Sequence, residues 1–194
     1  MKPITMNTES VRGISDGRKT QTRRPIKDIL LIHHAEDYQY KGNDGTGLFH
    51  CFWDRKIAKM HDVKCPFGKI GDKLYVKEKH RLYGIEDFIF CEYEDGIRLQ
   101  VASNDYENPL GTDTHWLPSI HMPQWASRIT LEIIDIRVER VASISYQDIH
   151  KEGFTGTKPI YKAKNWFKGL WNSIYKNWND NPWVWVIEFN KETK

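Results

Sequence analysis

Apolar residues at helical spacing predict a short helix near the N-terminus. Val11 and Ile14 lie three residues apart and therefore share one face. Asn7 or Thr8 can cap the first turn through a side-chain oxygen. Gly17 predicts the end of this helix, because glycine readily takes the left-handed conformation that follows a helix C-terminus.

Two further helices are predicted in the last third of the chain. Residues Ser145 to Lys151 form a short one, which Gly153 ends. Residues 163–176 form a longer one with an apolar stripe made of Phe167, Leu170, Trp171 and Ile174.

Short apolar or alternating runs predict strands over much of the remaining chain. The predicted strands are Ile29–Ile32, Lys73–Lys77, Phe88–Tyr93, Ile97–Val101 and Trp183–Phe189. The third and fourth are joined by a turn that contains Asp-Gly, which is typical of a β-hairpin. The last is almost wholly apolar, as in strands that are buried on both faces.

The longest strand pattern covers residues 128–141 and changes its alternation halfway. One apolar set has odd numbers and the other has even numbers: Ile129, Leu131 and Ile133, then Ile134, Ile136 and Val138. A regular strand points these two sets to opposite faces. We therefore predict a β-bulge near Ile133 to Asp135, of the kind that bends strands in small barrels.

Two stretches, 34–47 and 102–124, are rich in Gly, Asn, Asp and Pro and predict long irregular segments. Such segments in a small domain are often binding loops or lids. The mixture of strands and three helices lacks a regular βαβ alternation. The chain is therefore predicted to be α+β, with a barrel-like sheet.

Composition limits the class of protein. With 194 residues, of which 39% are hydrophobic and 13% aromatic, the chain suits one folded domain. No run approaches the length of a membrane span, and Met1 to Glu9 lacks the apolar stretch of a signal peptide. These features predict a soluble, cytoplasmic protein. Its three cysteines lack C-x-x-C spacing, which favours reduced thiols.

The net charge of +3 is unevenly distributed. Residues 1–27 contain seven basic and two acidic side chains and so carry +5, which leaves −2 on the other 167 residues. A basic segment on an otherwise nearly neutral protein favours binding of a small anionic partner, such as a phosphate or a nucleotide. Binding along a long nucleic-acid duplex would need a broader basic surface.

Three side chains that could take part in a reaction, Lys19, Thr22 and Arg24, lie within six residues directly after the first helix. Crowding by other cations or partial burial would lower the pKa of the lysine and make it a usable base for the threonine. The two can share a pocket only if the chain turns between them, since residues three apart in a strand face opposite ways. The alternative is that this run is one strand of a β-hairpin whose lysine and arginine side chains are exposed to solvent.

The same run resembles a known signature. Residues 17–24, GRKTQTRR, resemble the G-x-K-x-x-T-x-R motif of the ASCH domain family, within the PUA-like superfamily. Residues 71–76, GDKLYV, resemble the family's G-D-x-L-x-V strand, and Trp183–Phe189 resembles its closing strand. Residues 118–128 are similar to a larger ASCH group that is frequent in bacteriophage and prophage genomes.

The resemblance implies one ASCH domain over residues 1–194, with loop insertions near 34–60 and 102–124. Its expected fold is a small mixed β-barrel of the PUA-like type, with flanking helices and a cleft. Such domains are proposed to bind RNA or modified nucleosides. The resemblance therefore implies a modified nucleoside or RNA as the partner.

A compact bacterial member of the family removes the acetyl group from the exocyclic amine of acetylcytidine. It uses a lysine base, a threonine nucleophile and a glutamate proton donor. Carried over by motif, these roles fall on Lys19 and Thr22, and by order and local similarity on Glu152 in the run HKEG. A glutamate that a cleft of low polarity keeps protonated can supply the proton for the leaving amine. The alternative for Glu152 is a solvated charge on an exposed final turn.

The sequence thus predicts a metal-independent amidohydrolase for acetylcytidine or a related modified nucleoside. The alternatives are a non-catalytic module that binds RNA or a modified base, and a ribonuclease-like activity. Arg24 and Arg128 are expected to shape a polar or anionic site, and Trp125 to stack on a base.

No metal or other cofactor is expected, and neither a membrane nor an obligate protein partner is evident. The closest candidate ligands for zinc, Cys51, His61 and Cys65, lack the short paired spacing of zinc sites.

Overall fold

The structure is a computed structural model that describes residues 1–28, 31–32, 35–85, 88–103, 115–156 and 159–192. Its described part contains eleven strands and three α-helices. The strands are β1 (Lys2–Thr5), β2 (Gln21–Pro25), β3 (Tyr38–Asn43), β4 (Phe49–Asp54), β5 (Lys59–Lys64), β6 (Lys73–Lys77), β7 (His80–Ile85), β8 (Phe88–Tyr93), β9 (Arg98–Ser103), β10 (Thr130–Arg140) and β11 (Trp183–Lys191). The helices are α1 (Thr8–Ser15), α2 (Tyr146–Lys151) and α3 (Ile160–Ile174).

The main sheet has five strands in the order β1-β6-β10-β11-β2. β1 and β6 are parallel, whereas the other three pairs are antiparallel. The main hydrophobic core contains residues from this sheet and from α1, among them Ile14, Leu131, Trp185 and Phe189. The almost wholly apolar strand β11 lies inside the sheet, between β10 and β2, as its sequence predicts.

The predicted bulge in β10 is confirmed. The register between β10 and β11 shifts between Ile133 and Asp135. Ile133 and Ile136 are both fully buried, whereas Ile134 between them is 43% exposed. Ile134 is the extra residue of the bulge, and it reverses the alternation of inward and outward side chains once. Ile129, Leu131 and Ile133 before it and Ile136 and Val138 after it can therefore all face the core.

Two three-stranded antiparallel sheets, β3-β4-β5 and β7-β8-β9, complete the described part. The second contains the predicted hairpin. The first corrects the prediction that 34–47 is irregular, because β3 lies inside that range. Tyr38 is buried and Tyr40 packs against the core, so an alternating pattern is present, although Gly42 and the polar residues around it obscure it.

The three predicted helices are confirmed. Asn7 caps α1, since its side chain accepts a hydrogen bond from the Ser10 backbone N–H at 2.8 Å. Ser145 caps α2, and Gly153 follows it with a φ of +107°, a conformation that glycine adopts without strain. The long helix α3 begins at Ile160, three residues earlier than expected.

The α+β class is confirmed, and the described sheets are open. β1 and β2 form the two edges of the main sheet and are not hydrogen-bonded to each other, so a closed barrel is not found among the described residues. None of the helices in the described part is long and apolar enough to cross a membrane.

Two predictions fall partly outside the described residues. Ile29 and Leu30 of the predicted strand Ile29–Ile32 are not described. Its two described residues, Leu31 and Ile32, are helical, with the Ile32 N–H donating to the Asp28 carbonyl at 3.0 Å, so the strand prediction is wrong for them. Residues 104–114 of the predicted irregular stretch are not described either. The end of that stretch forms two short 3-10 turns, Ser119–His121 and Gln124–Ala126.

The capping bond of α1 gives a stability prediction. Replacing Asn7→Ala removes the acceptor for the Ser10 N–H and should lower the free energy of unfolding by about 1 kcal/mol. Asn7→Asp retains a side-chain oxygen and serves as the control. Urea unfolding followed by circular dichroism measures both. Equal midpoints for Asn7→Ala and the wild type would contradict the capping role.

Candidate active site

Backbone hydrogen bonds bring Lys19 beside Glu152. Lys19 follows α1, and its N–H donates to the Gly13 carbonyl at 2.8 Å. The next N–H, of Thr20, donates to the Lys151 carbonyl at 2.9 Å. Lys19 and Glu152 consequently form an antiparallel β-bridge, although they lie 133 residues apart in the sequence.

The side chains of these two residues form a buried ion pair. Lys19 Nζ lies 2.6 Å from Glu152 Oε2, and it also donates to the Glu152 carbonyl at 3.0 Å. The two side chains are 4% and 3% exposed. The alternative of a solvated Glu152 on an exposed turn is therefore wrong.

The environment of Lys19 changes its acidity. Burial lowers the pKa of Lys19, and the attraction of Glu152 opposes this shift. The positive charges of Arg24 and Arg23 act in the same direction as burial. A lysine with a lowered pKa is more readily available as a neutral amine, which is the form that accepts a proton.

Thr22 lies in β2, where it pairs with Ile187 of β11, and its side chain is buried. Its Oγ1 accepts a hydrogen bond from Arg24 Nη1 at 3.0 Å. Thr22, Lys19, Arg24 and Glu152 line one small enclosure. The structure thus brings together four residues that the sequence predicts for the site. The predicted turn between Lys19 and Thr22 is not seen, because Lys19 forms a β-bridge and strand β2 begins at Gln21.

Arg23 is a site residue that the sequence analysis missed. Its guanidinium lies 3.3 Å from Glu152 Oε1, 2.9 Å from Glu139 Oε2 and 3.3 Å from Asp148 Oδ2. Its side chain is 1% exposed. No local sequence signal marks it, because its burial follows from the pairing of Arg23 with Val186 of β11, which is distant in the sequence.

Asp148 links this cluster to the start of α2. Ser145 Oγ donates to Asp148 Oδ2 at 2.8 Å, and Arg137 Nη2 donates to Oδ1 at 3.0 Å. Burial acts to raise the pKa of Asp148, but these hydrogen bonds and charges, with Arg23, hold it below its usual value. The Asp148 carboxylate therefore holds the Arg23 guanidinium in place by an ion pair, and Arg23 in turn contacts the Glu152 carboxylate.

The enclosure around Lys19, Thr22 and Glu152 is small. Its volume is about 30 Å³, enough for one or two water molecules. Ser10 and Arg23 also line it, and one wall consists of largely apolar side chains on and directly after α3: Phe167, Leu170, Trp171, Ile174 and Tyr175. Anything the size of a nucleobase requires this wall to move.

A much larger cleft, the side cleft, lies next to the enclosure. Its volume is about 600 Å³, which is in the range of small-molecule sites. It is lined by Arg24, Pro25, Ile26, Lys27, Asp28, Asp62, Val63, Lys64, Pro66, Phe67, Tyr175 and Trp185. Arg24 and Tyr175 line both spaces, so they mark the boundary between the reactive side chains and the side cleft.

The structure does not bring Trp125 and Arg128 to the enclosure. Trp125 is 43% exposed and lines a separate surface depression. Arg128 is buried in ion pairs with Glu78 and Asp95, and its guanidinium lies 4.1 Å from the ring centre of Tyr93. Neither residue lines the enclosure or the side cleft. Their roles in substrate binding remain predictions.

In the part of the chain that the structure describes, no group of three or more His, Cys, Asp or Glu side chains could hold a metal ion. The residues around the enclosure offer a hydroxyl, an amine and a carboxylate for acid–base and nucleophilic chemistry instead.

No family model matches this chain, and no curated protein or solved structure does. The family resemblance and the role of each site residue therefore remain hypotheses, argued from the residues and their geometry.

The ion pairs of Arg23 give a prediction for stability. Arg23→Met leaves the carboxylates of Glu139, Asp148 and Glu152 without their shared cation and should lower the free energy of unfolding by about 3–5 kcal/mol. Arg18→Met is the matched control, because it removes an exposed pair with Asp16 and should change stability far less. Guanidinium unfolding measures both, and equal losses would contradict the role of burial.

Proposed function

We propose that this protein hydrolyses the amide of acetylcytidine or a related modified nucleoside without a metal ion. The observation that carries the proposal is the buried Lys19–Glu152 ion pair in the same enclosure as the Thr22 hydroxyl. Amide hydrolysis needs a nucleophile, a base for its proton and an acid for the leaving amine, and these three side chains supply them.

The ion pair can supply the base and the acid together. Transfer of one proton along the 2.6 Å bond converts the ammonium and carboxylate into a neutral amine and a carboxylic acid. Burial lowers the pKa of Lys19 and so favours its neutral amine in this transfer. In this form the Lys19 amine can accept a proton, and the Glu152 carboxylic acid can donate one.

In the proposed reaction, Thr22 Oγ1 attacks the acetyl carbonyl carbon as its proton passes to Lys19 Nζ. The tetrahedral intermediate collapses, the C–N bond breaks, and Glu152 protonates the departing amine. A water molecule then attacks the acetyl ester of Thr22 as Glu152 takes a proton from it. The ester C–O bond breaks, Lys19 Nζ returns its proton to Thr22 Oγ1, and acetic acid leaves as acetate and a proton. Arg24 Nη1, at 3.0 Å from Thr22 Oγ1, stabilises negative charge on this oxygen.

Membership of the ASCH family belongs to the same proposal. It is supported by the location of the three similar segments: residues 17–24 connect α1 to β2, 71–76 enter β6, and Trp183–Phe189 lies in β11. All three strands belong to the main sheet. A PUA-like barrel would require this sheet to close between its edge strands β1 and β2.

A second candidate is a module that binds RNA or a modified base without catalysis. The observation that favours it is the difference in size, because the enclosure of about 30 Å³ is too small for a nucleobase whereas the side cleft of about 600 Å³ can hold one. Salt separates the candidates, because binding of a long RNA weakens steeply with salt whereas turnover of an uncharged nucleoside barely changes.

Release of acetate from acetylcytidine tests the proposal directly. Thr22→Val has nearly the same shape as the wild type but lacks the nucleophile, and we expect its rate to fall by at least about a thousandfold. Thr22→Ser keeps the hydroxyl and should retain part of the activity. Unfolding curves of both variants control for folding. Full activity in Thr22→Val, or none in the wild type, would refute the proposal.

The lowered pKa of Lys19 predicts the pH dependence of this reaction. The proposed pair is active with Lys19 neutral and Glu152 protonated. The value of kcat/KM should therefore rise as the pair loses its first proton and fall as it loses its second, with the falling limb below the range of an ordinary lysine because burial lowers the pKa of Lys19. Lys19→Arg keeps the positive charge but cannot lose its proton at these pH values. A rate profile in which Lys19→Arg retains both limbs would contradict the assignment of Lys19 as the base.

A further inference from the structure

The side cleft has an apolar interior that suits a planar ring. Phe67, Tyr175 and Trp185 lie in its walls, and Trp185 is almost fully buried. Its volume of about 600 Å³ is twenty times that of the enclosure, so a nucleotide can occupy it whereas the enclosure admits only a group of a few atoms. Aromatic walls bind unstacked bases by contact with their flat faces.

The charged residues of the side cleft differ in how they are already paired. Arg24 donates to Thr22, to backbone carbonyls and to a methionine sulfur. Of the two carboxylates, Asp28 Oδ2 lies 3.1 Å from His61 Nε2, and Asp62 is hydrogen-bonded to the Cys51 thiol.

The remaining charged residues of the side cleft are two cations. Lys27 and Lys64 are exposed, and within the described ranges neither has a carboxylate at ion-pair distance. Lys64 Nζ lies 5.8 Å from the centre of the Phe49 ring. Two ammonium groups beside an aromatic cleft are suited to a phosphate attached to a base and a sugar.

We propose that the side cleft binds a nucleoside phosphate, with its phosphate at Lys27 and Lys64 and its base between Phe67 and Tyr175. The inference rests on the proposed function and narrows its substrate. The reacting acetyl group would enter the enclosure past Tyr175, so a nucleotide, free or within an RNA strand, should be a better substrate than the bare nucleoside.

Calorimetric binding tests the inference without turnover. In the Thr22→Val background, cytidine 5′-monophosphate at low salt should bind about tenfold more tightly than cytidine, from the added contacts of its phosphate with two lysines. Changing Lys27→Gln and Lys64→Gln together should bring the monophosphate to the level of cytidine. The matched control changes Lys41→Gln and Lys59→Gln, two exposed lysines outside the side cleft, and should leave the preference intact.

The outcomes separate this inference from the proposed function. Equal affinity for cytidine and its monophosphate, or a preference that survives loss of Lys27 and Lys64, overturns the inference even where the wild type releases acetate. A preference that depends on the two lysines supports it even where no acetate is released. A short cytidine-containing RNA that binds more tightly than the monophosphate identifies RNA as the source of the phosphate, whereas equal affinities identify the mononucleotide.

Discussion

The buried contact between Lys19 and Glu152 is the constraint on which the rest of the site depends. Removing two charges from water is costly, and a buried ion pair persists only where further hydrogen bonds satisfy it. Here Arg23 supplies them from β2 and is itself held by Asp148 at the start of α2. The pair therefore fixes the chain after α1 against the end of α2, and Thr22 is positioned as a consequence. Since a well-packed apolar pair would stabilise such a contact as well or better, the retained charges are more readily explained by chemistry than by stability.

The side chains proposed for catalysis and the cleft proposed for binding lie in two different spaces of this fold, the enclosure and the side cleft. The reactive side chains lie in a small enclosure, and the Lys19 side chain is 4% exposed, so little water screens the electrostatic effects on it. The side cleft beside it has the size and the aromatic walls that binding a larger molecule needs. Arg24 and Tyr175 separate the two. Tyr175 follows α3 and packs against Trp171, with ring centres 4.5 Å apart, so access to Thr22 depends on this part of the apolar wall.

Local sequence patterns predicted much of the fold, because helix caps and alternation act over a few residues. The bulge near Ile133 follows from two apolar sets that one regular strand cannot bury together. The burial of Arg23 escaped prediction, since it depends on pairing with β11, which is distant in the sequence. The ion pairs of Arg128 and the wall that α3 contributes to the enclosure likewise arise from tertiary packing. Lys19 and Thr22 were inferred from their local chemistry, the family resemblance added Glu152, and the structure adds that the three line one enclosure.

Mass spectrometry of Thr22 tests the central claim most directly. The wild-type protein is mixed with acetylcytidine, quenched in acid during turnover and digested, and the peptide that contains Thr22 is analysed for an added acetyl group. The account predicts an acetyl ester on Thr22 that appears before the bulk of the acetate, and that Thr22→Val does not form. Acetate release with an unmodified Thr22, or an acetyl group carried by Lys19 instead, would contradict it.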